Sequence, residues 1–270
     1  MFAQSSAMAT ASLGPWPALP SCTTMGSPTI LDDILTTMVT SVTGGIARVF
    51  MTRLNTTRVE SHDVFLKAVT ERPANRGLVT VSNHVSALDD PLTIASMTPL
   101  RVLLNTRGVR WGLCATDRCF HNAVLARFVS KGKVLPIARG RGMYQQGMQD
   151  ALDRLDHGDW VHVFPEGTRS KTGEILPLKS GVGRLICDAK VTPVVVPYYH
   201  EGMQRIMSRG SARLGVGQTV NIVVGEPIDF DDIFERFKGC TDRTALYEAV
   251  TERIAQRLSE LRNRASEQAL

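Results

Sequence analysis

Short apolar runs alternate with amphipathic helical stretches along most of this chain, and that alternation restricts its fold more than any other feature. Leu78–Ser82, Lys133–Ile137, Trp160–Phe164, Pro193–Tyr198 and Thr219–Val224 are each five or six residues long. That length suits buried strands. Helical periodicity falls between and around them, over about Leu31–Arg53, His62–Glu71, Met143–Asp156, Lys179–Ala189 and Thr244–Gln268. The pattern predicts an α/β fold with a mixed, largely parallel central sheet flanked by helices. At 270 residues the chain can fill one large domain with a full core.

Residues 1–28 contain Pro15, Pro17, Pro20 and Pro28 and read as a disordered leader. The domain is expected over 29–270, with 29–58 as a candidate membrane-associating segment. Apolar residues recur there at Ile34, Leu35, Met38, Val39, Val42 and Ile46, a period that fits a core helix or one lying in a lipid interface. No uninterrupted apolar run reaches the roughly 18 residues of a spanning helix, since Gly44-Gly45 breaks the best stretch. The expectation is a chain that lies on a membrane, or on none, without crossing it. A secretory signal is excluded by the lack of a basic start and apolar core. The acid-free N-terminus is similar to a transit peptide, yet the first Lys or Arg is Arg48.

Five cysteines, Cys22, Cys114, Cys119, Cys187 and Cys240, show neither a disulfide framework nor a paired zinc spacing. All five are read as free thiols in a reducing compartment. The net charge is +5, but residues 101–150 alone hold nine Lys or Arg against Asp117 and Asp150. Such a block suits phosphate, nucleic acid or an acidic membrane face.

The run Asn83-His84-Val85-Ser86-Ala87-Leu88-Asp89-Asp90-Pro91 follows a predicted strand. His84 and Asp89 would lie about 140° apart on a regular helix, too far round to pair. A loop folding back into a helix start removes that obstacle. Pro91 suits the first helical turn and Asp90 its cap, which leaves Asp89 to orient the imidazole. A histidine held in this way takes a proton from a hydroxyl at neutral pH. Ser86 is a weaker candidate, because loop serines usually bond nearby backbone.

A second block, Phe164-Pro165-Glu166-Gly167-Thr168-Arg169-Ser170, also leaves a strand at its carboxyl end, where α/β folds bind ligands. Gly167 permits close approach and Arg169 offers a fork for phosphate oxygens. Arg139 and Lys179 are further candidate phosphate ligands. Tyr198, Tyr199 and His200 read as core or pocket wall.

Together, His84-x-x-x-x-Asp89 and Phe164–Arg169 resemble the glycerolipid acyltransferase superfamily, which includes the 1-acylglycerol-3-phosphate acyltransferases. The likeness runs over about residues 60–230, through Ala115-Thr116-Asp117, Tyr144–Met148, His157–His162, Gly183–Ile186 and His200–Met203. It is strongest toward the transacylases of that superfamily. The resemblance implies a glycerol-3-phosphate acyltransferase-like fold and catalysis by His84 and Asp89 with no metal or cofactor. Arg139, Glu166, Gly167, Thr168, Arg169 and Lys179 would bind substrate. It further implies phospholipid and lysophospholipid substrates, coenzyme-A-independent transacylation in cardiolipin remodelling, and peripheral or monotopic association with a mitochondrial membrane. An acyl-CoA-dependent lysophospholipid acyltransferase is the alternative. A metal-dependent phosphoesterase using His84, Asp89 and Asp90 lacks a second ligand cluster. A non-catalytic membrane module would explain the charge but not the motifs. Nucleic-acid binding finds no recognised module or interleaved aromatics.

Overall fold

The computed structural model describes residues 30–105, 108–208, 210 and 213–267; the expected leader at 1–28 and Cys22 lie outside them. The chain starts with α1 (Ile30–Val49), extended by a wider helical turn over Phe50–Leu54. After β1 (Thr56–Glu60), α2 (His62–Thr70) and β2 (Leu78–Ser82), a wide turn at Asp90–Ile94 runs into α3 (Ala95–Met97). Then come α4 (Leu100–Leu103), β3 (Gly112–Ala115), α5 (Thr116–Cys119), α6 (Ala123–Lys131) and β4 (Val134–Ile137). The remainder is α7 (Gln146–Asp156), β5 (Trp160–Val163), α8 (Gly181–Asp188), β6 (Val194–Glu201), α9 (Met203–Ile206), β7 (Thr219–Val224), α10 (Asp231–Arg236) and α11 (Arg243–Glu267).

Five strands form a sheet in the order β1-β7-β6-β2-β5, and β3 pairs with β4 beside it. Trp111 joins the two pieces: its N–H donates to the Trp160 carbonyl and its carbonyl accepts from His162, both at 2.7 Å. Every pairing is parallel except β6 with β7. The sheet is therefore mixed and largely parallel, as expected. Because β6, β2, β5, β3 and β4 run the same way, their carboxyl ends share one edge. The loops carrying His84, Phe164 and Arg139 all leave from it.

Strand alternation sends side chains into two cores. On one face Val79, Val81, Val161 and Val163 meet Leu152, Leu185, Ile254 and Leu258 of α7, α8 and α11. On the other, Leu78, Trp160, Val196 and Tyr198 meet Phe65, Met97 and Met51. Phe65 packs edge-on to Trp160 at 5.6 Å. Truncating such a side chain to alanine costs about 3–5 kcal/mol. The α8–α11 contact needs Gly183, where a Cβ would sit 2.1 Å from the Tyr247 carbonyl oxygen.

The helix at Ile30–Leu54 bears on how the chain could meet a membrane. It is 25 residues long and contains an 18-residue stretch of mean hydropathy 1.4, enough by length and composition alone to cross a membrane. Gly44 and Gly45 interrupt the apolar run but not the helix. One flank is nonetheless fastened to the domain. Arg48 Nη1 donates to the carbonyls of Ala95, Ser96 and Thr98, Ser41 donates to that of Leu103, and Met51 enters the core. The opposite flank exposes Ile34, Met38, Val42, Ile46 and Val49.

A disulfide joins Cys114 to Cys119, contrary to the expectation of free thiols. The helical turn after β3 brings their Cα atoms to 6.1 Å, a closeness that a five-residue separation does not advertise. Cys187 and Cys240 are free, and burial pushes the Cys187 thiol up to about 12, leaving it inert at neutral pH.

Candidate active site

All five residues of β2 are buried, so the chain that leaves at Ser82 begins from a rigid base. Asn83 prolongs the sheet with its side chain. Its Nδ2 donates to the His200 carbonyl at 2.9 Å, and its Oδ1 accepts from the His200 N–H at 3.0 Å. His84 comes next. Its backbone N–H donates to Glu166 Oε1 at 2.8 Å, and its carbonyl accepts from Ser170 N–H at 2.7 Å. The ring stacks on Phe164 at 4.0 Å, with planes 15° apart.

His84 Nδ1 lies 2.9 Å from Asp89 Oδ2, and the same oxygen accepts from the N–H groups of Val85 (2.6 Å) and Ser86 (2.8 Å). The loop therefore folds back as anticipated. A carboxylate only accepts, so Nδ1 carries the proton and the Nε2 lone pair faces away from Asp89. Asp89 is fully buried, whereas the His84 side chain is 18% exposed. The other carboxylate oxygen, Oδ1, has no hydrogen-bond partner among the described residues. His200 does not neutralise the carboxylate, because burial lowers the pKa of that ring and keeps it uncharged.

Asp90 departs from its expected role as a helix cap. No side-chain cap bond forms at this helix start, and Asp90 instead pairs with Arg110. Arg110 precedes β3, whose strand character was not anticipated, so the partner was not visible either. Ser86 Oγ is committed to the Met207 carbonyl at 3.0 Å, which suits a structural hydroxyl.

Glu166 is placed differently from a substrate ligand. It is almost fully buried, with Oε1 on the His84 N–H and Oε2 on the Leu176 N–H at 3.0 Å. Desolvation pushes its pKa up, opposed by these two hydrogen bonds. Both oxygens are turned to backbone, so this carboxylate braces the two loops against each other. Gly167 has φ +64°, and Lys179 lies across its bare Cα: a Cβ there would be 2.9 Å from Nζ. The Gly167 N–H already donates to the Phe164 carbonyl at 3.0 Å, so it is not an oxyanion donor in this arrangement. Gly167, Thr168 and Lys179 are exposed and Arg169 is half-buried. Arg139 is exposed and pairs with Asp117 at 3.4 Å. Its strand stands three places from β2, roughly 14 Å along the sheet. The structure thus gathers His84, Asp89, Glu166, Gly167 and Lys179 closely, and carries Arg139 on a more distant loop.

Sequence reasoning missed the support beneath His84. The rings of Tyr198, His162 and Phe164 lead up to it, with centroids at 5.6 Å, 4.6 Å and 4.0 Å in turn. His162 Nδ1 bonds Thr80 Oγ1 at 2.9 Å, and burial lowers its pKa to about 4, so it serves as a neutral packing ring. The alternation of His162 in β5 and Phe164 just past its end was the only available signal. Among the described residues, no group of three or more His, Cys, Asp or Glu is placed to hold a metal ion.

The profile of the Acyltransferase family matches residues 63–201, a span containing the dyad, its brace and both turns. The chain belongs to the acyltransferase family. Tafazzin of Drosophila melanogaster is 34% identical over 231 residues, covering 85% of this chain and 61% of that protein. The N-acylphosphatidylethanolamine synthase of Arabidopsis thaliana is 39% identical over 184 residues, covering 66% of this chain and 64% of its own length. The chain thus spans less than two thirds of either relative. The crystal structure of a 1-acyl-sn-glycerophosphate acyltransferase from Thermotoga maritima superposes with a TM-score of 0.56 at 20% identity, over 86% of this chain and 81% of that one. At that identity the likeness speaks for the fold, an acyltransferase-family α/β sheet.

Proposed function

We propose that the chain is a phospholipid–lysophospholipid transacylase, an O-acyltransferase in which His84 is the general base. The observation that carries this is the Asp89 carboxylate, fixed by two backbone N–H groups and holding Nδ1 of His84, whose side chain is 18% exposed. Nε2 takes the proton from a lysophospholipid hydroxyl as its oxygen attacks the acyl carbonyl of a donor phospholipid. The tetrahedral intermediate collapses, and the departing glycerol oxygen takes the proton back from Nε2. A base so placed contributes about 10²–10⁴-fold. Asp89 stabilises the imidazolium between the two transfers. The cycle is proton-neutral, needs no metal or cofactor, and returns the enzyme unchanged.

In this reading Lys179, Arg169 and Arg139 attract the phosphate, while Gly167 and Thr168 shape the turn. The tafazzin relationship supports a phospholipid donor, cardiolipin remodelling and a mitochondrial membrane as the setting. Membrane association would run through α1, half-immersed in the plane of the lipid, since Arg48 and Ser41 tie its other flank to the domain. The Arabidopsis relative favours a second acceptor, the amine of phosphatidylethanolamine, which the same base would deprotonate. The test is transfer of a labelled acyl chain from phosphatidylcholine to a lysophospholipid or to phosphatidylethanolamine, with and without acyl-CoA. Transfer to the lysophospholipid without acyl-CoA is expected. Strict dependence on acyl-CoA refutes the donor, and exclusive labelling of the amine refutes the acceptor.

A further inference from the structure

Two more helices expose apolar side chains next to α1. The nine-residue α6 packs against it, with Lys131 at its end paired to Asp32 in the first turn of α1. It presents Val124, 84% exposed, and Phe128, half exposed, one helical turn apart on a single face. The short α4 also packs on α1 and is exposed at Leu100 and, just past its end, Leu104. Folding leaves these side chains in water, a cost that a soluble surface has no reason to carry in adjacent helices. Charge accompanies them. From Arg118 to Gln149 the chain has no acidic residue, and Arg127 is exposed within α6 beside Phe128, as Arg101 is beside Leu100.

We propose that α6 and α4 extend the α1 stripe into one docking face whose partner is an anionic phospholipid leaflet. Val124 and Phe128 enter the acyl region while Arg127 and Arg101 stay at headgroup level. This rests on the reading of α1 as an interfacial helix and adds a second wedge and a charge preference to it. The apolar residues give affinity for any bilayer, and the arginines make the affinity depend on lipid charge. Each such cation is worth about 1 kcal/mol near an acidic surface, or roughly fivefold in binding.

The experiment is co-sedimentation of the whole chain with vesicles of phosphatidylcholine alone and of phosphatidylcholine mixed with phosphatidylglycerol. Val124→Ser/Phe128→Ser should bind both vesicle types several-fold more weakly. Arg127→Gln should lose roughly fivefold on the mixed vesicles and nothing on the neutral ones. Vesicles should also slow amide exchange over residues 123–131 in the unaltered chain, a readout that needs no variant. Wild-type affinity in Val124→Ser/Phe128→Ser, or unslowed exchange over 123–131, overturns the α6 wedge. An equal loss on both vesicles in Arg127→Gln overturns the charge preference. Met38→Ser/Ile46→Ser separates the two readings. If it abolishes binding while the α6 variant does not, only the extended face fails. If the unaltered chain binds neither vesicle, the interfacial reading of α1 fails with it.

Discussion

The proposed base and the candidate substrate cations of this site are held in opposite ways. His84 has its ring nitrogen, its backbone N–H and its carbonyl all bonded, and the groups that hold it, Asp89, Glu166 and Ser170, are buried. Arg139 and Lys179 stand exposed on turns, Arg139 with a single surface ion pair to Asp117. A base prebonded to buried groups, as proposed for His84, need not reorganise when the proton moves, so its contribution falls on the chemical step. Exposed cations act through a screened field and contribute little each. On the proposed mechanism, the contrast means that the geometry of proton transfer is fixed by folding, whereas headgroup recognition stays adaptable.

Removing the base should break this comparison hardest. His84→Ala is expected to lower kcat by about 10²–10⁴-fold with little change in melting temperature. Steady-state transfer rates beside a thermal melt check it, and a variant near full rate would move catalysis elsewhere. Glu166→Ala tests the brace. It leaves the His84 and Leu176 N–H groups without their acceptor, at about 1–3 kcal/mol each. The denaturant midpoint should fall together with kcat, and Glu166→Gln, which keeps one acceptor oxygen, should lie between.

The ring support sharpens the comparison through pH. The pKa of His162 falls from 6.5 to about 4 on folding, because burial disfavours its charge. A depressed pKa contributes stability that is complete above 6.5 and is lost as pH falls toward 4, since the unfolded chain binds the proton first. The loss approaches roughly 3 kcal/mol over that window. Unfolding free energies measured between those limits should show the decline, and His162→Asn should flatten it. The smallest effect belongs to the cations. Lys179→Gln or Arg139→Gln should raise the lysophospholipid KM by roughly fivefold, about 1 kcal/mol, with kcat kept and the difference shrinking in high salt.

Legibility in the sequence followed burial. β2 and β7 were readable to the residue because both are apolar runs with clear ends, and β5 and β6 to within a few residues. β1 went unseen because Thr56, Thr57, Arg58 and Glu60 make it a polar edge strand. β3 is only four residues long and opens on a glycine. The dyad could be read since its partners are five residues apart behind a strand. Glu166 was assigned to substrate because backbone N–H groups, which are what it binds, have no sequence signature. The Cys114–Cys119 link and the Asp90–Arg110 pair share that origin: each depends on the unanticipated path through β3.

Asp89→Asn bears most directly on the claim that a carboxylate-oriented imidazole performs the transfer. An amide can accept from the Val85 and Ser86 N–H groups, which preserves the loop, but it cannot stabilise an imidazolium as an anion does. Acyl transfer to lysophospholipid at saturation should fall by about 10²–10⁴-fold with KM within a few-fold of the unaltered enzyme. Unchanged kcat with a raised KM would contradict the account, assigning Asp89 to binding and His84 to some other task.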